Sequence, residues 1–285
     1  MQIQWFPGHM AKARRQVTEN LKLVDVVIEL LDARIPLSSR NPMINEIIGD
    51  KYRMIILNKA DLADENATRE WAARFADAGT PAVMVNSLSG QSINQVPRVT
   101  RELAAPIMAA RAAKGIRPRA IRAMIVGIPN VGKSSFINRL TKGNTAKTGD
   151  KPGVTRGPQW IKINPEFELL DTPGILWPKF EDPKVGIKLA ITGAISDLVV
   201  DIEGLAVTLL ELVAQMKPEE LIQRYKLQEL PPRGIEVLEL IARRRGCLIH
   251  GGEVDTSKAA ILVLKEFREG LLGRITLDSV INHSS

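Results

Sequence analysis

A chain of 285 residues with 45% hydrophobic and 25% charged side chains can bury one large core and a smaller one, which excludes a disordered protein. Cys247 is the only cysteine, so no internal disulfide can form, and Cys247 with His250 offers too few ligands for a zinc centre; a buried, packed cysteine is expected. The formal net charge of +7 points to a polyanionic partner beyond any nucleotide.

The opening Met1-Gln2-Ile3-Gln4-Trp5 lacks the basic start and apolar core of a signal peptide, and no apolar run reaches the length of a membrane span. The expectation is a soluble, monomeric, cytoplasmic protein with no membrane partner. Trp5-Phe6-Pro7-Gly8-His9-Met10 reads as a turn at Pro7-Gly8, followed by a basic helix over residues 10–23 that carries Lys12, Arg14 and Arg15. Val24 to Leu31 is a continuous β-rich apolar run, the pattern of a strand covered on both faces. The loop Asp32 to Pro42 and a short helix, Met43 to Ile48, follow. Tyr52 to Leu57 reads as a second strand ending in Asn58-Lys59-Ala60-Asp61, and Asp64 as the cap of a helix running to Ala78. Ala82 to Val85 is a third strand, closing on Asn86-Ser87-Leu88-Ser89-Gly90. A long helix, Ile93 to Ala113, and a basic connector lead to the apolar run Ala123-Met124-Ile125-Val126.

That run enters Gly127-Ile128-Pro129-Asn130-Val131-Gly132-Lys133-Ser134, and a helix-like segment beginning at Ser135 leaves it. Strand, glycine-bounded loop, then helix is the context in which G-x-x-x-x-G-K-[ST] becomes a phosphate cradle. The glycines let backbone N–H groups converge on an anion, and the helix adds its positive N-terminal end. Asn130, Val131, Gly132, Lys133, Ser134 and Ser135 are the expected phosphate contacts. Lys133 reaches the β- and γ-phosphates, and the Ser134 hydroxyl is a Mg²⁺ ligand.

Lys142 to Arg156 is rich in Gly, Thr and Lys without apolar periodicity and reads as a loop; it contains Pro152-Gly153-Val154-Thr155. Two strand candidates, Gln159 to Ile163 and Phe167 to Leu170, come next, the second ending in Asp171-Thr172-Pro173-Gly174. Strands alternating with helices predict an α/β fold, a doubly wound and mostly parallel sheet that gathers ligands at its strands' C-terminal ends, where every one of these motifs falls. Beyond Leu189 the pattern turns helical. We divide the chain into an α/β domain over residues 1–190 and a small all-α domain over 198–285.

The base-reading chemistry lies in Asn58-Lys59-x-Asp61. A carboxylate at Asp61 can accept from the N1–H and N2–H₂ edge of guanine, for which adenine has no equivalent pair of donors. Lys59 can lie along the base and Asn58 can tie neighbouring loops. Asn86 and Ser87 occupy a weaker base-contacting position. Asp171 suits a water-mediated Mg²⁺ contact, the Gly174 N–H can sense the γ-phosphate, and Thr155 is the candidate that closes on Mg²⁺.

Together these residues resemble the translation-factor-related GTPases, with one rearrangement: Asn58-Lys59-x-Asp61 precedes the phosphate loop instead of following it. With Trp5 to Met10 and Asp32 to Pro42, the chain is similar to the circularly permuted members that act in ribosome biogenesis. The resemblance implies a circularly permuted P-loop GTPase domain and a C-terminal domain that contacts ribosomal RNA. It implies a GTP hydrolase that binds large ribosomal subunit precursors and is stimulated by them, with Lys133, Thr155 and Gly174 in the catalytic site. Asn130 resembles the asparagine of GTPases that use K⁺, a plain loop-stabilising hydrogen bond being its alternative. Ile175 stands where many GTPases carry a water-orienting glutamine, and the resemblance makes His9 the candidate for that role, a packing residue being its alternative. Lys12, Arg14, Arg15, Arg243, Arg244 and Arg245 are the expected RNA contacts. Two rival readings are an RNA-binding nucleotide switch with little catalysis and a tRNA-modifying GTPase.

Overall fold

The computed structural model describes residues 7–141, 159–172, 174, 176, 180 and 182–280, with side chains from residue 14 onward and, in the second stretch, from residue 160. Six strands form one sheet: β1 (Val26–Asp32), β2 (Tyr52–Asn58), β3 (Ala82–Val85), β4 (Ile121–Gly127), β5 (Gln159–Asn164) and β6 (Phe167–Asp171). Their order is β3-β2-β1-β4-β6-β5. Every neighbouring pair is parallel except β5 with β6, so the expected mostly parallel sheet carries one antiparallel edge. β4 pairs with β1 on one side and β6 on the other, which sets the phosphate-loop strand in the middle of the sheet.

The sheet is covered on both faces, as a parallel sheet must be. Along β1 the side chains alternate: Val26, Ile28 and Leu30 belong to one core, Val27 and Leu31 to the other face. On that other face, α1 (Pro7–Leu21) and α2 (Pro42–Ile48) bury Val17, Leu21, Ile44 and Ile48 against Val27, Met124 and Leu170. Beside them, α3 (Glu65–Asp77) packs Trp71 and Phe75 on Leu31, Ile55 and Leu57. The cap expected at Asp64 is present: its Oδ1 accepts from Ala67 N at 3.0 Å. One expectation changes at the start. α1 begins at Pro7, so Pro7-Gly8-His9 forms its first turn instead of a turn before it, because proline's fixed φ suits the first helical position.

The opposite face carries α4 (Gln95–Ala113) and α5 (Lys133–Leu140), and α6 (Pro183–Ile191) joins the same core. The helical region follows, as α7 (Ile202–Met216), α8 (Pro218–Tyr225), α9 (Gly234–Arg244) and α10 (Thr256–Arg268). Asp201 caps α7, its carboxylate accepting from Gly204 N. A single hydrophobic core runs from Ile28, Ile56 and Ile125 of the sheet through Leu189 and Ile191 to Leu209, Ile241 and Phe267 of the helices. Cys247 is buried within it, as expected. After α10 the chain returns to the sheet. Asp278 accepts from Ser38 N, Ser38 Oγ and Lys188 Nζ, each at 2.7 Å, and Leu277 N donates to Arg34 O at 2.7 Å.

Candidate nucleotide site

At the C-terminal ends of β1, β2, β3 and β4 lies a cleft of about 690 Å³, lined by Asn58, Lys59, Asp61, Asn86, Ser87, Asn130, Gly132 and Ser135 among others. Residues far apart in the chain therefore share one cavity, in the place where parallel sheets hold ligands. Thr192, Gly193, Arg268 and Glu269 also line it, so the helical region supplies part of the wall.

The phosphate end is one continuous loop. Gly132 has φ +100°, a conformation open to glycine, and a Cβ there would stand 2.5 Å from Asn58 Nδ2. Asn130 shares the left-handed region at φ 57°. α5 starts at Lys133, whose Nζ folds back to donate to Gly127 O and Ile128 O, both at 3.3 Å. Burial pulls the Lys133 ammonium down to about 8, opposed by the nearby Asp171 carboxylate. Burial raises Asp171 in turn, while Lys133 and the Thr172 backbone hold it down. Thr172 anchors the end of β6 by donating Oγ1 to Ile125 O at 2.5 Å. A Cβ at Gly174 would lie 2.9 Å from Lys133 Nζ and 3.0 Å from Pro129 Cα, so Gly174 rests against the phosphate loop. Ser134 is exposed and Asp171 is half-buried at the end of its strand.

The Asp61 end of the cleft, the expected base end, is assembled from several segments. Asn58 donates Nδ2 to Val131 O at 2.8 Å and accepts at Oδ1 from Ser87 Oγ at 2.6 Å, joining the phosphate loop to the loop after β3. Asn86 shapes that loop, its Oδ1 accepting from Leu88 N and Ser89 N. Lys59, in the left-handed region at φ 59°, donates Nζ to Asn130 O and to Asp32 Oδ2, each at 2.9 Å. Asn130 also donates its side-chain amide to Gly193 O at 2.8 Å, a tie between the phosphate loop and the chain after α6. Asp61 is exposed within the cleft.

Two residues that sequence reasoning passed over support this end. Asp32 and Arg34 are 2% and 1% exposed and form a bidentate ion pair, Nε to Oδ1 at 2.9 Å and Nη2 to Oδ2 at 2.7 Å. Burial alone would raise Asp32, but Arg34 and Lys59 outweigh it and hold the carboxyl well below the usual range. The guanidinium of Arg34 also lies 5.4 Å from the Phe267 ring centroid, under α10. The available cue was two opposite charges straight after an apolar strand, which is where a buried pair would sit.

Arg14 and Arg15 are exposed on α1, Arg15 paired with Glu19 one turn on. Arg243 and Arg244 are exposed at the end of α9. Arg245, exposed as well, differs from its neighbours in one respect: it pairs with Glu266 of α10 and stacks 5.6 Å from the Tyr225 ring centroid, so it also serves packing within the helical region. The side chains of His9 and Lys12, and Thr155 altogether, lie outside the described residues, as does Ile175. Among the described residues no three His, Cys, Asp or Glu gather as a metal centre, and no helix is long and apolar enough to cross a membrane.

A central phosphate-loop strand, with the Asn58-Lys59-x-Asp61 motif on a strand earlier in the chain, defines a P-loop GTPase whose motifs are circularly permuted. Residues 122–231 match the family model described as 50S ribosome-binding GTPase. The chain is 56% identical to the ribosome biogenesis GTPase A of Bacillus cereus over 98% of its own length and 94% of that protein's. It is 37% identical to the mitochondrial ribosome-associated GTPase 1 of Mus musculus over 96% and 90% of the two chains. The GNP-bound YlqF from T. maritima superposes with a TM-score of 0.65 at 28% identity, over 94% of this chain and 97% of that one. The chain belongs to the ribosome biogenesis GTPase A family, and its reaction is the hydrolysis of GTP to GDP and phosphate.

Proposed function

We propose that the cleft binds GTP with its base at Asp61 and its phosphates in the Gly127–Ser134 loop, and that hydrolysis there times the protein's departure from large ribosomal subunit precursors. The observation that carries this reading is Asn58, whose one amide joins the phosphate loop to the Ser87 loop beside Lys59 and Asp61. A guanine seated on Asp61 would then have its phosphates delivered to Lys133 and the α5 N-terminus. Two features support a polyanionic partner: the net charge of +7 and the exposed Arg14, Arg15, Arg243 and Arg244.

The hard oxygens of Ser134 and Asp171, which lie at adjoining strand and helix ends, fit a Mg²⁺ ion, and Thr155 is its proposed third protein partner. Bound there, Mg²⁺ would neutralise charge on the phosphates. Lys133 holds the β- and γ-oxygens, and the Gly174 backbone follows the γ-phosphate from its place against Lys133. His9 is the proposed group that orients the attacking water, brought to the site as α1 docks on RNA. Asn130 uses one branch of its amide on Gly193 O, and its Oδ1 on the other branch is the proposed K⁺ ligand.

One turnover assay with immature large subunits tests these roles. The parent should prefer GTP and be stimulated by particles. Asp61→Asn should move the preference to XTP, whose 2-oxo group meets an amide donor. His9→Ala should bind GTP normally and lose about 10²–10⁴-fold of the stimulated rate. Replacing K⁺ by Na⁺ at equal ionic strength should slow the parent. Unchanged GTP preference in Asp61→Asn sinks the base assignment; full stimulation of His9→Ala sinks the catalytic histidine; equal rates in the two salts remove K⁺.

A further inference from the structure

The turn that carries Asp61 is held from outside its own strand. Arg274, in the segment after α10, donates Nη2 to Ala60 O at 2.9 Å and Nε to Ala63 O at 2.8 Å. Those two carbonyls bracket Asp61. Between them Ile275 N donates to Leu62 O at 3.2 Å, and just beyond them Asp64 N donates to Thr276 Oγ1 at 3.1 Å. Lys217, between α7 and α8, closes the ring by donating Nζ to Asp64 Oδ2 at 2.7 Å and to Arg274 O at 2.9 Å. The carbonyls of Ala60, Leu62 and Ala63 are thus all claimed by the segment after α10.

The Asp61 carboxylate has no such support. It is exposed, and among the described residues no group hydrogen-bonds it, so its aim depends on the backbone of its turn. A two-point contact with guanine tolerates little error, since a misplaced carboxylate loses both hydrogen bonds and leaves its own charge partly desolvated. A planar guanidinium is the side chain that can span two carbonyls in fixed geometry; an ammonium is a point donor.

We infer that Arg274 is a positioning residue for guanine recognition, fixing the backbone on both sides of Asp61 from the helical side of the molecule. The inference rests on the reading of Asp61 as the base-contacting carboxylate. It also ties nucleotide grip to the seating of the helical region: any partner that lifts residues 274–276 off the Ala60–Ala63 turn loosens the base while leaving the phosphate loop intact.

The test compares affinities for GDP and IDP, whose base lacks the 2-amino group. A well-aimed Asp61 gains two hydrogen bonds from guanine and one from hypoxanthine. In Arg274→Ala the GDP:IDP preference should fall by about 10-fold, the worth of one hydrogen bond to a charged group. Arg274→Lys, which can hold one carbonyl, should fall between that variant and the parent, and it carries the test if the alanine variant does not fold. Adding Arg274→Ala to Asp61→Asn should change the ratio no further. An unchanged GDP:IDP ratio in the folded Arg274 variants, or equal losses of GDP and IDP, overturns the inference. Should Asp61→Asn itself keep the parent's ratio, the base assignment has failed and the positioning role falls with it.

Discussion

The two ends of the cleft are built on opposite plans. The phosphate end is a single eight-residue loop whose geometry comes from its own glycines and the helix it opens. The base end is a joint between β1, β2, β3, the phosphate loop and the segment after α10, held by Asn58, Lys59, Asp32, Arg34 and Arg274. A local loop can lose one side chain and keep its backbone path. A joint depends on buried polar groups that satisfy one another, and removing one leaves its partners unpaired in a low-dielectric interior. Damage at the phosphate end should therefore appear as lost chemistry, and damage at the base end as lost stability.

The sharpest way to break that contrast is Asp32→Asn. Asp32 is buried with Arg34 and Lys59 on its two oxygens, and the substitution keeps the shape while removing the charge. A buried guanidinium left uncompensated costs about 3–5 kcal/mol. Urea unfolding followed by circular dichroism should show a loss of that size. A loss of less than about 1 kcal/mol would mean that water or a rearranged partner satisfies Arg34, and that the base end is less of a joint than its hydrogen bonds suggest.

At the phosphate end Lys133→Ala should do the reverse. Turnover should fall by about 10²–10³-fold, as for loss of one preorganised donor to a developing anion. Stability at pH 7 should hold or improve, because burial holds this ammonium down to about 8 and its removal relieves that cost. The same shift gives a pH signature. The free protein sheds the Lys133 proton near pH 8, whereas a bound phosphate opposes burial and keeps it on. The complex then binds more protons than the free protein above pH 8. GDP affinity should fall as pH rises from 8 to 9, by at most about tenfold per unit, and stay level below 7.5. Lys133→Arg, always charged, should flatten this dependence. A flat profile in the parent would place Lys133 in water, out of the loop.

The same division decides what could be read from the sequence. The phosphate loop, the strand-end position of Asp171 and the cap at Asp64 are fixed by neighbours a few residues away, so spacing and residue type suffice to find them. Asn58 as a tie between loops was also legible, because an asparagine at a strand end has few other uses. Arg274 and Lys217 were not legible. Nothing within several residues of either announces a partner, since every acceptor of theirs described above lies more than 50 positions away in the chain. That α1 begins at Pro7 was not legible either, because a proline before glycine reads equally as a turn or as a first helical residue. The helical region was correctly read as helical from its periodicity. That its core continues into the sheet, and that residues 274–278 return to the base end, follows from long-range packing that periodicity does not encode.

The run Arg243-Arg244-Arg245 brings both plans into three consecutive residues, and it yields the smallest predicted effects. In sequence the three are equivalent cations. In the structure all three are exposed, but Arg245 alone shares Glu266 with Arg224 and covers the Tyr225 ring, which leaves Arg243 and Arg244 as the exposed pair without that tie. If the exposed pair neutralises two RNA phosphates, replacing both by Ala should lower the salt slope of particle binding by about 1.4–1.8, taking 0.7–0.9 per phosphate. GTP binding by the free protein and its thermal midpoint should stay unchanged. Arg245→Ala should instead leave the salt slope alone and lower stability by about 1 kcal/mol, since Arg224 still pairs with Glu266. Equal slopes for Arg245→Ala and the double variant would show that Arg245 leaves Glu266 to meet RNA, and that even a paired arginine here belongs to the binding surface.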